Sequence, residues 1–145
     1  MHGLKASVVF VALLARTWIA SARLRRKLVG VKTPREELIR RYAPASSFAD
    51  VGAMWGVHGR MAFVAEESGA SSVTALDVMS PTPEYIAEHA RRGSAVHFVQ
   101  GDVHDAAVIG PHEVVWCAGV LYHAPSPLLT LERLRAITQG VLILA

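Results

Sequence analysis

From residue 33 onward the chain alternates between two hydrophobic periods. Short, mostly apolar runs stand at 48–51, 72–78, 95–99, 113–119 and 141–144. Runs of this length, bounded by Gly, Ser and Pro, predict strands covered on both faces. Between them lie stretches of helical spacing. Residues 33–42 predict a helix with Thr33 as N-cap, Pro34 as first residue and Glu36 completing a capping box, and Pro44 ends it. Residues 57–68 place Met61, Ala62, Val64 and Ala65 inward and Glu66 and Glu67 outward, with Gly69 as C-terminal cap. Residues 81–92 open on proline and close at Gly93, and 126–138 carry Leu128, Leu131, Leu134 and Ile137 on one face before Gly140 releases the last strand. Strand and helix in alternation predict an α/β fold with a largely parallel sheet between helical layers.

The first 32 residues do not follow this alternation. An apolar run at 6–15 is broken by Arg16, resumes at 18–22 and meets Arg23, Arg25, Arg26 and Lys27. Ten apolar residues fall short of the ~20 that a membrane-spanning helix needs. The segment is read as a covering helix, with an interfacial amphipathic anchor and a secretory signal as the alternatives. Charge sharpens the division. Residues 1–41 hold ten Lys/Arg against two Glu, a net +8, and residues 42–145 hold five against ten, a net −5, which together give the overall +3. The basic character belongs to the leading segment, which leaves it a route to RNA or to a membrane surface, while the rest offers no broad nucleic-acid surface. The expected organisation is a basic helical segment, 1–43, and one α/β domain, 44–145. A total of 145 residues, 52% hydrophobic and 19% charged, suits a single folded unit. The single cysteine, Cys117, excludes an intrachain disulfide and reads as a buried inert thiol. The seven histidines show no zinc-type pairing, so no metal is expected. A cytoplasmic setting follows from the cysteine usage, with membrane association through the first segment as a variant.

The stretch 47–77 holds the densest chemistry. A strand ending in Asp50 runs into Gly52, Gly56 and Gly59, a helix follows, and the next strand ends in Asp77. Glycines at the carboxyl end of a parallel strand permit a sharp turn and a close ligand approach, and the helix that follows offers free N–H groups to an anion. An acid one strand later is placed to accept from ribose hydroxyls. A dinucleotide fingerprint would need glycine where Met54 and Val57 stand, so a nicotinamide dehydrogenase is disfavoured. The spacing present is D-x-G-x-x-x-G, from Asp50 to Gly56.

That spacing resembles the first motif of class I S-adenosylmethionine-dependent methyltransferases. The segment WCAGVLYHAPSPLLTLERLR resembles their region after the fourth strand, above all in a branch that includes tRNA-uridine-modifying enzymes. The resemblance covers residues 44–145. It implies a Rossmann-like three-layer sandwich with strand order 3-2-1-4-5 and S-adenosyl-L-methionine as cofactor. Asp50, Gly52 and Gly56 would be cofactor-binding, the two glycines and the following helix N-terminus taking the methionine moiety, Asp77 the ribose, and Asp102 with Val103 the adenine, Asp105 being the alternative acceptor. Tyr122 would line the site of methyl transfer and His123 would serve as general base. Arg40, Arg41 and Tyr42 either face the ligand or form a solvent-facing stripe. Met54 departs from the family's glycine and is expected to border the methionine tail. The family fold continues past a fifth strand, so a C-terminally incomplete member is expected, its open edge covered by a second copy, a partner or the N-terminal segment. The methyl acceptor stays unassigned. The reading from a different class is a non-catalytic cofactor-binding or interaction module.

Overall fold

The computed structural model describes residues 34–105 and 108–145. The expectations for residues 1–33, Thr33 as N-cap among them, lie outside the described residues. Nine elements follow in order: α1 (Pro34–Tyr42), β1 (Ser47–Val51), α2 (Arg60–Glu67), β2 (Ser72–Asp77), α3 (Pro83–Arg92), β3 (His97–Gln100), β4 (His112–Cys117), α4 (Pro127–Ala136) and β5 (Thr138–Leu144). The strands form one sheet in the order β3-β2-β1-β4-β5, every pair parallel. The order reverses between β1 and β4, which makes their carboxyl ends the place where a parallel sheet opens a crevice.

Alternation along each strand sorts the core into two layers. Phe48, Val73, Ala75, Val114, Trp116 and Ile143 meet Ile39 and Ala43 from the α1 region, Ala62 and Phe63 of α2 and Tyr85 of α3. Ala49, Val51, Leu76, Val115, Cys117 and Leu142 face the other way, against Leu134 of α4 and Val103 and Ile109 of the connection from β3 to β4. The 1–43 segment thus supplies part of the main core through α1. Glu36 is buried, and its Oε1 accepts from Arg60 Nε of α2 at 2.8 Å, so this carboxylate joins two helices. Arg40 pairs with the same carboxylate at 3.6 Å, and Arg41 stacks on the Tyr42 ring.

Several element boundaries differ from the sequence expectation for identifiable reasons. The second helix starts at Arg60 and not at 57, because His58 and Gly59 take positive φ of 49° and 74° and keep the chain in turns. The third starts at Pro83, with Thr82 as N-cap accepting from Tyr85 N–H at 3.1 Å, so the effective proline is Pro83 and not Pro81. The third strand is His97–Gln100, and the fourth stops at Cys117 because Gly119 turns the chain at φ 75°. The last strand begins at Thr138 and passes through Gly140. An irregularity in register between His112 and Val114 brings Gly140 against Glu113, where a Cβ would meet the carbonyl oxygen at 2.7 Å. In α4, Leu128 is 75% exposed, whereas Thr130 and Leu134 are buried and Ile137 packs against the same layer.

Candidate functional site

The carboxyl ends of β1, β2 and β4 and the loop after β3 enclose a cavity of about 80 Å³. Its walls include Val51, Gly52, Leu76, Val103 and Val120, and its polar groups are the carboxylates of Asp77 and Asp102. Lys and Arg do not occur among its lining residues. A larger groove, about 530 Å³, lies among α1, α2 and α3, but its acids and arginines pair with one another, Glu36 with Arg60 and Glu67 with Arg92. Its charges are spent on holding helices together, whereas the smaller cavity lies at the carboxyl ends of the strands where the strand order reverses.

Gly52 sits at the floor. At φ 86° a side chain would be strained, and a Cβ would meet Val120 Cγ2 at 2.6 Å and the Ala118 carbonyl at 2.9 Å. Glycine here lets the turn close against β4 and the loop after it. Its N–H and that of Ala53 both donate to Leu76 O, at 2.9 and 3.2 Å, which fixes the turn on β2. Gly56, at φ 66°, faces open space.

Asp77 is buried and clamps two turns at once. Its Oδ2 accepts from Met54 N–H at 2.7 Å and its Oδ1 from Met79 N–H at 2.9 Å. Each carboxylate oxygen takes a second donor, so the group keeps capacity for two ligand hydroxyls while it holds the glycine turn. The Met54 side chain is wholly buried in the core beside Ala53, Met61 and Phe48 and does not line the cavity, which corrects the expectation that it borders the ligand.

Asp50 lies behind the cavity. It is 1% exposed, and its Oδ2 accepts from Ala62 N–H, in the first turn of α2, at 3.1 Å. Burial pushes its carboxyl up to about 7, against the pull of that N–H and with a further push from Asp77. The first turn of α2 therefore spends this N–H on an internal carboxylate. Tyr85 has its hydroxyl buried without a hydrogen-bond partner, and burial pushes it up to about 12. Cys117 is buried in β4 and burial likewise pushes its thiol up to about 12, so it stays protonated and inert.

Asp102 and Val103 both line the cavity. Asp102 Oδ1 accepts from His104 N–H at 2.9 Å and faces His104 Nδ1 at 2.7 Å. The backbone N–H of His104, first among the causes, holds this carboxyl below its ordinary range. His104 Nε2 reaches Thr130 Oγ1 at 2.8 Å, and that hydroxyl also lies 3.1 Å from Ser126 O. A neutral imidazole protonated on Nδ1 satisfies both partners when Thr130 turns its hydroxyl to Nε2. The imidazolium does so when Thr130 turns to Ser126 O. This chain of contacts joins the loop after β3 to α4, and sequence reasoning missed it because its partners are 26 residues apart.

The loop after β4 is tight, with His123 N–H donating to Val120 O at 3.0 Å. Tyr122 is 76% exposed and its ring lies 4.3 Å from that of His123. Neither lines the cavity; both stand outside it on the β4 side. Trp55, 75% exposed, stands on the β1 side, and Val78 and Met79 follow Asp77 on the β2 side. These three were not singled out from sequence, although a tryptophan in the middle of a glycine turn is a signal. His58 is tied to Thr82 Oγ1 at 3.0 Å and is absent from the cavity lining.

No family model matches the chain, and no curated protein matches it. Solved structures do. A 1,6-didemethyltoxoflavin-N1-methyltransferase from Burkholderia thailandensis, with bound 1,6-didemethyltoxoflavin and S-adenosylhomocysteine, is 22% identical and superposes with a TM-score of 0.62 over 88% of this chain and 54% of that one. A SAM-dependent methyltransferase from Aquifex aeolicus is 18% identical, with a TM-score of 0.58 over 76% of this chain and 62% of that one. The 4+2 cyclase SpnF is 16% identical, with a TM-score of 0.63 over 74% of this chain and 43% of that one. The chain spans about half the length of the first of these. Its fold is that of the class I S-adenosylmethionine-dependent methyltransferases, with strand order 3-2-1-4-5.

Proposed function

We propose that this chain, built on the class I methyltransferase fold, binds S-adenosyl-L-methionine in the cavity between Gly52, Asp77 and Asp102 and belongs to an enzyme that transfers its methyl group. The observation that carries the reading is the polarity of the cavity. Two carboxylates stand among apolar walls, with no basic side chain among the described lining residues. That set suits an uncharged nucleoside: Asp77 accepts from ribose hydroxyls, Asp102 from the exocyclic amine, and Val103 packs on the ring. It does not suit a pyrophosphate.

The cofactor supplies an activated methyl group on a sulfonium. The residues therefore have to bind, orient and exclude water more than they have to do chemistry. Asp77 holds the glycine turn through Met54 N–H, so ribose recognition and turn geometry depend on one carboxylate. The loop carrying Tyr122 and His123 borders the same crevice, and His123 is the residue assigned to take a proton from a hydroxyl or ammonium acceptor. Calorimetric titration with S-adenosylhomocysteine tests the reading. Micromolar binding by the chain, abolished in a folded Asp77→Ala variant, is the expected result, and unchanged affinity in that variant removes Asp77 from the site.

A second reading is a cofactor-binding unit that works with a partner. The β5 edge, carrying Leu142 and Ile143, is the surface such a partner or second copy would pair with. A mass above that of the monomer in size-exclusion light scattering supports it, and a stable monomer that transfers methyl groups overturns it.

A further inference from the structure

We infer that His104 is a positioning residue for the cavity, acting through Asp102. This rests on the reading of Asp102 as the acceptor for the base of the bound nucleoside. Asp102 is more than half exposed, and a free aspartate at a loop has two χ angles to lose when it binds a ligand. Here Oδ1 is held twice, by His104 N–H at 2.9 Å and by His104 Nδ1 at 2.7 Å. The imidazole is in turn fixed at its far nitrogen by Thr130 Oγ1 at 2.8 Å, a side chain fully buried in α4. Oδ1 is thereby saturated and Oδ2 is left as the acceptor for a ligand. His104 does not line the cavity, so it reaches a ligand through Asp102.

The two nitrogens separate this role from simple anchoring of the loop. In His104→Asn the amide nitrogen takes the place of Nδ1 and keeps the contact to Asp102 while losing Thr130. In His104→Gln the side chain reaches toward Thr130 and loses Asp102. Affinity for S-adenosylhomocysteine, by calorimetry, and thermal midpoint are measured for both. Positioning predicts that the Asn variant binds within about twofold of the parent and the Gln variant about tenfold more weakly, the worth of one charge-assisted hydrogen bond. Thr130→Val, which leaves the Asp102 contact in place, is expected to lower the thermal midpoint with affinity kept. Parent-like affinity in the Gln variant, or equal losses in Asn and Gln, overturns the assignment while leaving the cofactor reading intact. A parent chain that is folded and does not bind overturns the cofactor reading, and this assignment with it.

Discussion

At the scale of single residues, Asp50 and Gly52 show how the fold uses groups that look like ligand contacts. In the folded chain Asp50 keeps its proton up to about 7, because burial disfavours the carboxylate, whereas an unfolded chain releases it near 3.9. The folded state therefore binds more protons in that interval. Stability from this group is complete below about pH 4 and is lost as pH rises to about 7, on the order of 4 kcal/mol in all. Asp50→Asn keeps an acceptor for Ala62 N–H and carries no charge. Its stability relative to the parent is expected to rise between pH 4.5 and pH 8, as read from urea melts at the two values, and a constant difference would show that Asp50 is ionised throughout. Gly52 and Gly56 share a positive φ but differ in surroundings. Gly52→Ala adds a collision with Val120 and Ala118 O to the backbone strain, for an expected loss of about 2–4 kcal/mol. Gly56→Ala meets only the strain, about 1 kcal/mol. Equal losses in denaturant melts would mean that the turn does not close on β4 as described.

At the scale of elements, the central strands were readable because β1 and β4 are largely apolar runs, and burial on both faces requires that composition. Helix starts were less so. The entry to α2 depends on His58 taking a positive φ, which a non-glycine residue rarely adopts and no local pattern announces. The entry to α3 offered two prolines, and Thr82 between them decides for the second by capping. The face of α4 was read correctly at Leu134 and Ile137 but not at its start, because leucine spacing records apolarity and not position: Leu128 is exposed, while Thr130 is buried with its hydroxyl satisfied. Pairing between β1 and β4 has its own fastening. Glu113 Oε2 accepts from Ser47 N–H at 2.8 Å and from Ser47 Oγ at 3.2 Å, and Ser47 Oγ accepts from Glu113 N–H at 2.9 Å. Glu113→Ala removes the acceptor for both Ser47 donors across the central strand pair. A loss of about 1–2 kcal/mol with unchanged denaturant slope is expected.

At the scale of the whole molecule, the parallel sheet gathers the acids at 77 and 102, 25 residues apart, at one end beside the crevice where the strand order reverses between β1 and β4. Asp77 was legible because the end of the second strand follows from periodicity. The link from Asp102 to Thr130 was not, because it spans two connections whose path no local signal gives. Charge is distributed on the same plan. Residues 34–145 contain no lysine, and their eight arginines stand against twelve acids, while seven Lys/Arg lie in 1–33. The described lining of the cavity thus offers a phosphate no counterion, and its two carboxylates repel one. S-adenosylhomocysteine is therefore expected to raise the thermal midpoint of the full chain by an amount that changes little between 50 and ~300 mM salt, since its recognition runs through neutral donors. NADH, which carries the same adenosine on a pyrophosphate, is expected to give no shift at physiological salt. Any weak NADH binding at low salt would come from the basic 1–33 segment and would fade as counterions screen it. A salt-resistant shift with NADH would instead require a cation at the cavity, and would transfer the site from a methyl donor to a dinucleotide.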